Sequence, residues 1–213
     1  MARRYLEEAA QAQVVHPRVY WELAYRRYLE VRAQPQEPDQ RLSRAQVAQI
    51  LEPLAVARTQ SPSQALVYRL LADVWSQSAA RPSAEELAVL NEYMQLFPLG
   101  ASSSVSTASS TKIALLNARE GNCAQAARLM DQVSQLFAPD SSPAASAQKW
   151  GQLFRSAQTE QRSLTANEVQ QIEAKLKTIP DVSDQIRLQR QAKNNLPSLR
   201  PRPPGVAPQK LSP

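Results

Sequence analysis

The stretch "ALLNAREGNCAQAARLMDQVSQLFAP", Ala114 to Pro139, decides the fold. It reads as two short helices joined at Gly121-Asn122. Ile113, Leu116 and Asn117 share a face of the first helix, and Ala126, Leu129, Met130, Val133 and Phe137 recur at helical spacing along the second. A glycine at the junction takes the positive φ that ends a helix. Neither helix can hide its apolar stripe alone, so the hairpin is expected to be one unit in a stack.

Outward from the hairpin, the pattern recurs. Segments 18–62, 63–98 and 111–139 each read helix, turn, helix and then proline. The punctuating prolines Pro17, Pro62, Pro98 and Pro139 lie 45, 36 and 41 residues apart. Spacings of that size point to an all-α fold of the α-solenoid kind, in which antiparallel helix pairs cover one another's open faces.

Individual segments carry their own signals. Residues 3–15 place Tyr5, Leu6, Ala9, Ala12 and Val15 roughly in phase, and Pro17 opens the next helix. Ser43 with Gln46, Ser83 with Glu86 and Thr165 with Glu168 have capping-box spacing at three helix starts. Pro53, inside an otherwise helical pattern, predicts a kink or split near residues 49–53. The stripe of 84–98 is Leu87, Leu90, Met94 and Phe97. Residues 99–111 are Ser/Thr-rich, either a connector or, in their second half, the start of the next helix. Residues 140–148, which include Ser141, Ser142 and Pro143, read as a linker. Helices follow within 149–195, and the proline-rich basic tail 196–213 is expected to be disordered. The domain reading is therefore repeats over 1–139, the linker, a helical cap within 149–195 and the tail.

The repeat units resemble the tetratricopeptide (TPR) family over about residues 3–139. In the hairpin, Ile113-Ala114 match the family's large-small pair, and Gly121, Ala126 and Met130 fall at its turn and second-helix positions. Ser110 and Asn117 depart from it, standing where aromatics are usual. The preceding unit supplies Tyr68, Leu71-Ala72 and Trp75, and the first supplies Tyr20, Leu23-Ala24 and Tyr28. Ala24, Ala72 and Ala114 have a physical reason: helix axes approach to about 8–10 Å only where the contact residues permit it. The helix at 164–180 would cap the last repeat with Val169, Ile172 and Leu176. The resemblance implies that the first helix of each pair lines a concave, ligand-binding face. Tyr25, Arg26, Arg27 and Arg69 lie on or beside those helices, and their charge would suit an acidic or carboxylate-bearing ligand.

Composition sets the outer bounds. Hydrophobic residues make up 43% of the 213-residue chain and aromatics 6%, with only 4 glycines, a balance that favours helices over strands. One histidine, His16, and one cysteine, Cys123, cannot assemble a familiar zinc set, and no Gly-rich phosphate loop is present. No catalytic, cofactor or metal site is expected. The net charge of +6 is dispersed rather than gathered into one run, which argues against nucleic acid as the partner. No segment has the length and apolarity of a membrane span, and with Met1 as the start the chain reads as cytoplasmic. The function expected is a non-catalytic module binding a protein or peptide ligand. The apparent half-repeat at residues 3–17 supports an alternative, the C-terminal accessory region of a larger enzyme such as an exported hydrolase. A third reading, nucleic-acid binding by the basic surface, predicts affinity that falls steeply with salt.

Overall fold

The computed structural model describes residues 2–12, 14–34, 41–97, 104–181, 184, 186, 187 and 191. The described residues are helical without a strand: α1 (Ala2–Gln11), α2 (Pro17–Ala33), α3 (Arg44–Thr59), α4 (Ala65–Ser76), α5 (Ala84–Leu96), α6 (Ser104–Arg119), α7 (Cys123–Ser134), α8 (Ser142–Thr159) and α9 (Ala166–Thr178). The expected disordered tail 196–213 lies outside the described residues.

Helix starts follow local chemistry. His16 is extended at the N-cap of α2, with Pro17 in the first turn, where its missing N–H costs nothing. The three capping boxes are all formed, with the side chain of Ser43, Ser83 or Thr165 accepting from the backbone N–H three residues on and the residue there bonding back. In the hairpin, Gly121 has φ +85°, the left-handed conformation that lets α6 end and α7 begin.

Each helix from α1 to α7 packs on the one that follows it, and α2–α4 and α4–α6 also touch across the intervening helix. The core is one contiguous cluster. Leu23, Ala24, Leu71, Ala72, Trp75, Ile113, Ala114, Ala126 and Met130 are all buried in the interior. Ala24, Ala72 and Ala114 have no exposed surface at all, so any larger side chain there would push helices apart. Asn117, also fully buried, is satisfied by an amide ladder. Its Nδ2 donates to Asn91 Oδ1 (2.9 Å) and Ile113 O (2.8 Å), and its Oδ1 accepts from Asn122 Nδ2 (2.9 Å). That ladder ties α5 to the α6–α7 turn.

Several expectations are corrected. The linker expected at 140–148 is instead the start of α8: Ser141 caps it, its Oγ accepting from Ala144 N, and Pro143 sits in its first turn. Ser-Pro there is a helix-start signal, and Ala144 and Ala147 are buried. For 99–111 the second of the two expected alternatives holds, with α6 under way from Ser104. In α5 Leu87 and Leu90 are buried as expected, but Tyr93 joins them in place of Met94 and Phe97, which are half-buried; Tyr93 and Phe97 join Tyr68 in a ring cluster. Tyr5 on α1 and Val15 beyond its end are exposed rather than inward. Finally, α3 is not split: it runs from Arg44 to Thr59 through Pro53.

Candidate functional site

Arg27 explains how α3 survives its proline. Pro53 has no N–H, so the Gln49 carbonyl four residues earlier loses its helical donor. Arg27 Nη1, reaching across from α2, donates to Gln49 O at 2.7 Å and to Glu52 Oε2 at 2.8 Å. The same guanidinium lines a cavity of about 570 Å³ together with Glu7, Tyr20, Leu23 and Glu52. Of the other expected ligand-facing residues, Tyr25 stacks on Trp21 (centroids 5.1 Å apart, planes 9° apart), Arg26 is exposed, and Arg69 is half-buried on α4 with its Nε unpaired. Among the described residues no hydrogen bond, ion pair or ring contact joins any two of Tyr25, Arg26, Arg27 and Arg69.

A different set of polar residues does converge. Tyr28 and Arg32 come from α2, Asp73 and Gln77 from α4 and its C-cap, and Lys112 from α6. Against them lies the non-helical segment Pro180-Asp181 that follows α9. Lys112 Nζ donates to Asp73 Oδ1 (2.6 Å) and to Pro180 O (3.1 Å). The Asp181 carboxylate accepts from Tyr28 Oη (3.0 Å) and from Arg32, and its other oxygen accepts from Asp184 N (2.9 Å). Gln77 Nε2 donates to Tyr28 Oη (2.6 Å), fixing the phenol as donor toward Asp181. Arg32 also lies over the Tyr28 ring, 5.7 Å from its centroid.

The electrostatics follow from burial and pairing. Burial pushes the Tyr28 phenol far above its ordinary value, and the negative charges of Asp73 and Asp181 push it further, so it stays a neutral donor. For Asp181, burial works against the charged form, but the Asp184 N–H, Arg32, Tyr28 and Lys112 outweigh it and hold the carboxyl below the usual range. Two cations and two anions therefore sit together, each with partners, as low-dielectric surroundings require.

Further ion pairs fasten α9 and the turn before it: Arg41 with Glu173 (2.7 Å), and Arg162 with Glu168 (2.9 Å). Ile172 and Leu176 are buried, and α9 packs against α6. Cys123 is buried, and burial raises its thiol pKa, which disfavours the nucleophilic thiolate. His16 is exposed. Among the described residues, no three His, Cys, Asp or Glu side chains converge to hold a metal ion, and no helix is long and apolar enough to cross a membrane.

The signal for this cluster was present in part. Asp73 interrupts an otherwise apolar run, "LLADVW", and Lys112 stands at the head of another, "KIALL". A charge inside such a run has to find a buried partner. Asp181 gave no such sign, standing in a polar stretch.

No protein-family model matches this sequence, and neither a curated protein nor a solved structure matches it.

Proposed function

We propose that the chain is a non-catalytic helical-repeat module, a TPR-like solenoid, that binds a segment of another protein along the face built by α2, α4 and α6. The succession of contacts supports the solenoid reading: each of these helices pairs with the helix that follows it, and α4 touches both α2 and α6. One observation carries the binding reading. Side chains from α2 and α6, oriented by Asp73 and Gln77 of α4 and its C-cap, grip a short non-helical segment, Pro180-Asp181, through its carbonyl and its carboxylate. A face that holds one such segment has the chemistry to hold another. Arg26 and Arg69 add positive charge on two of the same helices.

A peptide library displayed on phage and selected on the full chain tests this reading. The expected result is enriched peptides whose affinity falls at least about ten-fold, some 1.4 kcal/mol, when Arg32→Glu replaces a donor on that face. Selection that enriches nothing beyond an unrelated helical control protein overturns it.

A further inference from the structure

We infer that Tyr28, Arg32 and Lys112 form a recognition site for an internal Pro-Asp segment of a partner protein, and that the chain's own Pro180-Asp181 fills it as a detachable latch.

The cradle recognises two features of a chain at once. Lys112 Nζ takes a backbone carbonyl, that of Pro180, at 3.1 Å. Tyr28 Oη and Arg32 take the carboxylate of the next residue, with Tyr28 at 3.0 Å. Gln77 orients Tyr28, and Asp73 orients Lys112. These supports come from α2, α4 and α6 alone, so they persist when the bound segment leaves. The carbonyl contact lies before Asp181, and the Asp184 N–H closes on its carboxylate from beyond. The chain thus continues beyond the aspartate held in the site, so the segment it takes here is a mid-chain one.

The latch is attached differently from the core it touches. Pro180 and Asp181 belong to no helix. The Arg32 side chain retains 41% of its exposure while Asp181 retains 6%, so water reaches the carboxylate's main cation from one side. Release breaks a few polar contacts and leaves the α2–α4–α6 packing in place. A tethered segment competes at millimolar effective concentration, so a partner binds the closed chain weakly and the opened chain well. The foreign-partner half of this inference rests on the function proposed above.

The test is fluorescence anisotropy with a labelled peptide of the chain's own residues 176–187, "LKTIPDVSDQIR". Full-length Asp181→Ala is expected to bind it at least about ten-fold more tightly than the native chain. Replacing the peptide's first aspartate by asparagine, or adding Arg32→Ala to the Asp181→Ala chain, is expected to remove that gain. A folded Asp181→Ala chain that binds no better than native, or binds the asparagine peptide equally well, overturns the proposal. Should Asp181→Ala lose its cooperative melt, hydrogen exchange on the native chain decides. The Asp184 amide is expected to exchange at least about a hundred-fold faster than the interior amides of α6; equal rates mean that no latch opens short of global unfolding. The two readings fail separately. If display finds no foreign ligand but the peptide rescues binding in trans, the latch stands and the partner does not. Display ligands that bind Asp181→Ala and native chain alike remove the latch and leave the module.

Discussion

Arg27 Nη1 lies 2.7 Å from the carbonyl oxygen of Gln49, the acceptor that Pro53 leaves without a helical donor. The guanidinium repairs a defect made by a proline in a different helix. Arg27→Ala therefore leaves that acceptor, on an exposed residue, to water and is expected to cost about 0.5–1.5 kcal/mol in urea unfolding. Pro53→Ala restores a backbone donor to Gln49. In that background the Arg27→Ala cost should fall by at least half, giving a coupling energy of about 0.5 kcal/mol in a double-mutant cycle. Additive effects would mean that Arg27 matters only through Glu52 or through a ligand.

Lys112 and Asp73 form the most secluded charge pair described, with side-chain exposures of 2% and 4%. Lys112→Met keeps the length of the side chain and takes the buried cation away from Asp73, so it should cost about 3–5 kcal/mol. Lys112→Met with Asp73→Asn removes both charges and should cost clearly less than the single change. Chemical denaturation of the three chains decides between a pair held for its own sake and one that is structurally indifferent.

How much of this was legible depends on which force sets each feature. Local rules were legible: the three capping boxes, the glycine turn and the buried Ala24, Ala72 and Ala114 depend on neighbours within a few residues or on side-chain size alone. Features set by distant partners were not. Pro53 reads as a helix breaker until Arg27 is placed beside Gln49, and Asp181 reads as one more polar residue until Tyr28, 153 residues away, is placed beside it. Ser141-Pro143 misled for another reason. The same residues that mark loops also begin helices, and only the burial of Ala144 and Ala147 separates the two cases. Gly151 belongs with the features set by distant partners: a Cβ there would meet the Asp131 carboxylate at 3.0 Å and Met130 Cβ at 3.6 Å, neighbours on α7 that no local pattern names.

Gly121 isolates a purely conformational effect. Its φ is +85°, and a Cβ built there meets nothing within 4 Å. Gly121→Ala thus adds no clash with other residues and should cost about 1–2 kcal/mol through the left-handed backbone alone. Gly121→Asn, whose side chain tolerates that conformation better, should cost less. Thermal melts of both variants give the ranking, and equal losses would point to a contact that the turn geometry does not reveal.

Acid should loosen the C-terminal part of the fold first. Hydrogen bonds from Arg162 and then Thr165 lower the Glu168 carboxyl to about 2, and Arg41 lowers that of Glu173. Asp181 is also held below its ordinary range, its polar partners outweighing burial. A carboxyl with a depressed folded-state pKa stabilises the fold fully above its unfolded value, about 4, and loses that contribution as pH falls through the folded value. Stability should then be flat from about pH 7 to 5 and decline between about pH 4 and 2. Glu168→Gln is expected to lower stability at pH 7 and to flatten the acid slope, because the titrating group is gone. Thermal melts at pH 7, 4, 3 and 2.5 on the native and Glu168→Gln chains measure this. An unchanged slope in the variant would show that Glu168 is no more tightly held in the folded chain than in the unfolded one.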